Sequence, residues 1–179
     1  QRPERFVPAI CKALASYRYD YLALGEHLLD SRSLMIACFR RHPSLEFGTA
    51  KVRLRPDRSL SELTPSPCFR ELWSSTSAAP HLIALLNDAR SRLVRIWAME
   101  LLKSDHRAAL AELPLATLFQ LLSNVDAEVQ DFAAELLKAS TELRDLPASE
   151  WLPLLRTENL TALELICRLM EEHVDAANL

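Results

Sequence analysis

Apolar positions in the C-terminal hundred residues recur with the three-to-four-residue spacing of an α-helix. Leu93, Val94, Trp97, Ala98, Leu101 and Leu102 make one wide apolar face over 91–103, and Val129, Phe132, Ala133, Leu136 and Leu137 make another over 127–139. A shorter helical stretch precedes each, at 81–86 and 115–122, and the pattern predicts a third pair at 149–156 and 159–173. Pro80, Pro114 and Pro147 stand at or near the starts of the shorter stretches, where a missing N–H costs little. Ser149 is the expected cap of the third, which would place Pro153 in its first turn.

These stretches repeat one another. Leu113, Pro114, Leu121 and Leu122 recur 33 residues later as Leu146, Pro147, Leu154 and Leu155, and Phe132, Leu136 and Leu137 recur at the same offset as Leu165, Leu169 and Met170. An earlier copy pairs Ala98, Glu100, Leu101, Leu102 and Lys103 with Ala133, Glu135, Leu136, Leu137 and Lys138. No helix of this kind can bury its apolar face alone, and stacked helix pairs form a continuous core. The expected repeats span about 80–113, 114–146 and 147–179.

Leu82-Ile83-Ala84-Leu85-Leu86-Asn87-Asp88, followed by Val94-Arg95 and Ala98, resembles the HEAT repeat, and so does the stretch from Leu118 to Gln130 with Ala133. The resemblance to HEAT/armadillo-like α-solenoids covers about 80–175. It implies an all-α fold, a right-handed α-α superhelix of helical hairpins. It also implies a hydrogen-bonded ladder between neighbouring repeats at Asp88 and Arg95. Neutral amides, Asn124 and Gln130, replace that pair in the second copy, and Thr157 and Leu163 fall at the positions in the third.

The front of the chain reads differently. Helices are expected at 6–14, at 21–29 and, capped by Ser31 or Ser33, at 34–39, where His42-Pro43 ends the pattern. This N-terminal section, 1–42, is a candidate divergent repeat. Residues 43–79 are a Pro-rich irregular insertion with a basic alternating run, Lys51-Val52-Arg53-Leu54-Arg55, that suits a short strand or an extended arm. Phe69, Leu72 and Trp73 are expected to anchor one helical turn on the core. A connection this long exceeds the ordinary limit of about 15 residues, so it is a plain insertion, functional or mobile.

Composition narrows the chemistry. The 179 residues include 35 Leu and 23 Ala but only 11 Val and Ile together and two Gly, which favours helix over sheet. With Gly25 and Gly48 alone, no glycine-rich phosphate loop can be written. No apolar run is long enough to span a membrane. Four Cys without C-x-x-C spacing read as buried reduced thiols of a cytoplasmic protein, and the Gln1 start reads as a segment of a larger protein. The five His show no ligand spacing, so no metal or cofactor is expected, and no catalytic motif is present: the chain reads as a non-enzyme. For acid–base work Glu171-Glu172 and the equivalent pair Glu100/Glu135 are candidates by residue type alone, whereas Glu26-His27 are neighbours that point in different directions on a helix. Asp105-His106 reads as a helix start.

Charge is uneven. Residues 1–80 carry 12 Lys and Arg against 8 Asp and Glu, whereas 81–179 carry 9 against 16. Arg92, Arg95, Met99 and Lys103 are expected to share the face of their helix opposite its apolar stripe. The rows Arg95, Gln130, Leu163 and Lys103, Lys138, Glu171 would grade from repeat to repeat. A surface of this kind suits a protein or peptide partner, and these eight residues are the candidate partner-binding set. The alternative is a polynucleotide, held by Arg92, Arg95 and Lys103 with the arm at 51–58.

Overall fold

A computed structural model of the chain describes residues 5–17, 29–140, 143, 147–157 and 159–173. Most of the helix expected over 21–29, with Glu26 and His27, lies outside the described residues. The chain is mostly helical and forms two compact units, Gln1–Arg107 and Ala108–Leu179. No helix among the described residues is long and apolar enough to cross a membrane.

In the first unit, α1 (Phe6–Ala15) buries Val7, Cys11 and Leu14, and α2 (Arg32–Phe39) buries Leu34, Met35, Cys38 and Phe39. Ser31 is the N-cap residue of α2, although its hydroxyl makes no cap hydrogen bond. Next come two antiparallel strands, β1 (Leu45–Phe47) and β2 (Val52–Leu54), in the register Leu45/Leu54, Glu46/Arg53 and Phe47/Val52. One helical turn, α3 (Arg70–Trp73), precedes α4 (Ala79–Asp88) and α5 (Arg92–Asp105). Helix α4 pairs with α5, and α1 packs on α3 and α4. Pro80 lies in the first turn of α4, where its missing N–H is harmless.

The insertion is ordered, and Trp73 holds it. Its indole is fully buried and meets Trp97 of α5 edge to face, centroids 5.1 Å apart at 90°, while Phe6 of α1 packs on its other side at 6.1 Å. Each indole N–H also finds a main-chain acceptor: Trp73 donates to the Cys68 carbonyl and Trp97 to the Cys38 carbonyl, both at 3.1 Å. The Cys38 carbonyl, near the end of α2, also accepts from the Ser66 N–H at 3.0 Å. One helix terminus thus receives both the insertion and α5. Phe69, expected as an anchor, is instead 51% exposed, in a left-handed conformation at the start of α3, with its ring edge against Phe6.

Helix α5 runs through Asp105 with His106 as its C-cap residue, and the helix start expected at Asp105-His106 falls one residue later, at Arg107. The His106 ring is buried with Nε2 2.7 Å from the Trp73 carbonyl. Beside it, Asp105 accepts from Arg70 at 2.6 Å, from the Ser74 hydroxyl at 2.6 Å and from the Ser104 hydroxyl at 2.7 Å. Burial disfavours the Asp105 carboxylate, but the Ser74, Ser104 and Arg70 donors outweigh it and hold its pKa below the ordinary value.

A short helix, α6 (Arg107–Ala111), follows. In the second unit, α7 (Leu115–Leu122) pairs with α8 (Ala127–Lys138). Then α9 (Ala148–Trp151) tightens into a 3₁₀ segment, Leu152–Arg156, and α10 (Leu160–His173) packs on that segment and on α8. Pro147, not Ser149, is the N-cap residue of α9, and Pro153 lies early in the 3₁₀ segment. A proline without an N–H cannot continue the i→i−4 ladder, so the helix narrows there. Trp151 and Leu154 are buried, as are Ala162, Leu165, Ile166 and Leu169.

The cysteines divide. Cys11 and Cys38 are buried thiols: burial pushes the Cys11 pKa up to about 12, and burial, then the neighbouring Cys11 charge, pushes Cys38 well above its ordinary value. Cys68 is half-buried. Cys167, expected inside an apolar pattern, is exposed, because the next residue along a helix turns about 100° away from the row ending at Ile166.

Replacing Trp73 by Ala will lower the free energy of unfolding by about 3–5 kcal/mol in urea titration, because it empties the site on which the insertion closes. Asp105 contributes stability above the ordinary aspartate pKa that fades as pH falls toward its depressed native value. Asp105→Asn will therefore be less stable than the parent at neutral pH, with the gap closing on acidification.

Candidate functional site

The eight candidate residues differ in exposure and lie in both units, four in each. On α5, Arg92 and Lys103 are exposed, but Arg95 is half-buried and its Nη1 donates to the Ala89 carbonyl at 2.8 Å. Met99 is only 8% exposed. It is the i−3 neighbour of Leu102, and its flexible thioether widens the apolar stripe instead of facing solvent. On α8, Gln130 is 7% exposed and its Nε2 donates to the Asn124 carbonyl at 2.5 Å, whereas Lys138 is exposed. On α10, Leu163 is half-buried and Glu171 exposed. Glu100 lies one turn from Lys103. Burial raises its pKa, and the Lys103 charge partly offsets that.

Arg95 and Gln130 share one role. Each reaches back six residues to a main-chain carbonyl in the turn between the two helices of its hairpin. Each side chain closes its turn, which is why positions that look polar on the helix are half-buried at Arg95 and buried at Gln130.

The next turn repeats the same geometry at the 33-residue offset. Asn124 Oδ1 accepts from the Asp126 N–H at 2.9 Å, and Thr157 Oγ1 accepts from the Asn159 N–H at 3.3 Å. Asp126 Oδ1 then caps α8 at the Val129 N–H, and Asn159 Oδ1 bonds the Ala162 N–H of α10, both at 3.2 Å. Asn159 Nδ2 also donates to Asp131 Oδ1 at 3.2 Å, tying this turn to α8. The equivalence ends at Leu163, which has no group to offer the Thr157 carbonyl. In the first copy Ser91 is the N-cap residue of α5, but its buried hydroxyl finds no partner among the described residues and makes no cap.

Between the turns of the second unit lies a groove of about 730 Å³. Leu122, Val125, Pro153 and Leu154 supply its apolar lining, and Asn124, Gln130, Arg156, Thr157 and Asn159 its polar groups. Val125 is fully exposed at the tip of the α7–α8 turn, and Leu160 at the start of α10 is 74% exposed. Of the expected set, only Gln130 reaches this groove, as part of its wall. The rest of the lining was not singled out from the sequence. The signal that would have found it is the pairing of Asn124/Asp126 with Thr157/Asn159, visible in the repeat but polar and therefore easily passed over. Among the described residues no three His, Cys, Asp or Glu side chains are grouped to hold a metal ion.

Gln130→Leu, which reproduces the residue of the following copy, will cost about 1 kcal/mol by leaving the Asn124 carbonyl without its donor, read as a lower midpoint in urea. Asp126→Ala will cost a similar amount, about 1 kcal/mol, through loss of the cap of α8. The chain matches no protein family, no curated protein sequence and no solved structure.

Proposed function

We propose that the chain is a non-catalytic protein-interaction module of HEAT-like helical hairpins, stacked as a right-handed superhelix, that binds an extended peptide segment of a partner along its inter-helix turns. The observation that carries this reading is the groove between the two equivalent turns of the second unit. Its walls are held by hydrogen bonds within each turn and from Asn159 to Asp131 of α8, so little ordering is needed on binding. Its lining mixes exposed aliphatic side chains with polar groups, the mixture that peptide grooves use for anchoring and orientation. The fixed turn bonds of Arg95 and Gln130 support HEAT-like hairpins in another way, since they reproduce one bond in two copies with different side chains.

In this reading the partner contacts move from the helix rows to the turn edge. Lys138 and Glu171, exposed charges of the second unit outside the groove, act more on association rate than on affinity. The polynucleotide alternative loses its central cation, because Arg95 is engaged with the Ala89 carbonyl.

The test is selection of random peptides on the full chain, followed by binding to two groove variants, Val125→Asp and Arg156→Glu. Both positions are exposed, so the variants will keep the parent's thermal midpoint. Selected peptides will lose about tenfold or more in affinity for Val125→Asp. Peptides that bind both variants as tightly as the parent would remove the groove from the proposal.

A further inference from the structure

The geometry points to a second docking surface, in the first unit: the outer edge of β2 accepts an extended acidic peptide as a third strand, with carboxylates at alternate positions facing Lys51, Arg53 and Arg55. The surface is separate from the groove of the second unit and does not depend on it.

The hydrogen-bond pattern defines the edge. The Gly48 N–H donates to the Lys51 carbonyl and the Arg55 N–H to the Ser44 carbonyl, each at 2.9 Å. With the observed register, these bonds make Ser44/Arg55, Glu46/Arg53 and Gly48/Lys51 the hydrogen-bonded pairs. The main-chain groups of Val52 and Leu54 therefore point away from β1. No third strand lies beyond them among the described residues. A strand edge in this state presents both N–H and C=O groups to a strand partner.

The two faces of the hairpin differ. Leu45 and Val52 are buried, with Phe47 and Leu54 half-buried beside them, so this face turns inward. Lys51, Arg53 and Arg55 fall on the other face, exposed, and none of the three makes an ion pair among the described residues. Alternate residues of a strand lie about 6.6 Å apart. A strand added beside β2 therefore places its own alternate side chains opposite these three cations. Glu46 shares the face, across from Arg53 but without an ion pair to it. From Arg40 to Arg58 the chain carries six Lys and Arg against two Asp and Glu, so the field here is positive.

The hairpin is held ready. Arg32 of α2 donates through Nη1 to the Gly48 carbonyl at 2.9 Å and to the Thr49 carbonyl at 2.5 Å, which pins the turn. Arg40 lies over the Phe47 ring at 4.7 Å. The Ser44 hydroxyl bonds Glu62, whose carboxyl also takes the Ser59 N–H and Arg58 and is held below the ordinary value, chiefly by Ser44. A peptide is favoured over a polynucleotide because the open edge offers carbonyl acceptors as well as donors. A phosphate chain pairs with the cations but leaves the Val52 and Leu54 carbonyls without partners.

The test uses the full chain and fluorescence anisotropy of three probes at low and physiological salt. The first is a short synthetic peptide alternating Glu and Val, the second has the same composition with its Glu residues in one block, and the third is a single-stranded oligothymidylate. The alternating peptide will bind tightest, weaken with salt, and lose about tenfold in affinity on Arg53→Glu, with Arg53→Lys restoring most of it. N-methylation of the peptide amides on its strand-pairing edge will weaken it by about tenfold while leaving its charge unchanged. The proposal is overturned by no binding at low salt, by equal binding of the blocked peptide or the oligonucleotide, or by indifference to N-methylation. Because no groove residue is altered, these outcomes are independent of the peptide groove in the second unit.

Discussion

The first unit depends on where two indole rings meet. Trp73 comes from the insertion and Trp97 from α5, and their edge-to-face contact is sealed by hydrogen bonds from both N–H groups to main-chain carbonyls. A buried indole with an unpaired N–H would forfeit much of what its large apolar surface contributes. Here both requirements are met at once, and the result is that a Pro-rich stretch becomes part of the core. That closure works beside the bonds from Arg32 of α2 to the Gly48 and Thr49 carbonyls, which hold the β-hairpin at its turn.

In the second unit the corresponding constraint is turn closure. Short helices leave many terminal N–H and C=O groups unpaired, and hairpins of short helices concentrate them where the chain reverses. This chain answers with small polar side chains at fixed places: Asn124 and Asp126 at one turn, Thr157 and Asn159 at the next. The amide of Gln130 completes the first turn, and the second lacks an equivalent. The groove lies between these two turns, so the groups that keep the hairpins folded also shape its walls.

Two surfaces thus carry the functional reading, one in each unit, and they are chemically unlike. The groove is aliphatic with polar walls. The hairpin edge is basic with open main-chain groups. Partners for the two would be recognised by different forces, burial of aliphatic anchors at the first and charge with strand pairing at the second.

Helix positions were legible in the sequence because burial and periodicity report the same thing. The stretches 91–103, 127–139 and 159–173 coincide with α5, α8 and α10 to within two residues at either end, and Trp97 falls in the core as its row required. The strand at 52–54 lay within the alternating run, and the anchoring role of Trp73 was visible as an aromatic residue beside a helical turn. The candidate surface was less legible. Arg95, Met99 and Gln130 look solvent-facing on a helical wheel, yet the turn carbonyls claim two of them and the widened apolar stripe claims the third. Periodicity assigns a residue to a face of its own helix and is blind to what packs against that face. The sequence alone determined which segments are helical and which residues are oily enough to need cover. Only the tertiary structure decided which polar side chains are consumed in closing turns and which strand edge is left open, because both depend on backbone groups that different segments bring together.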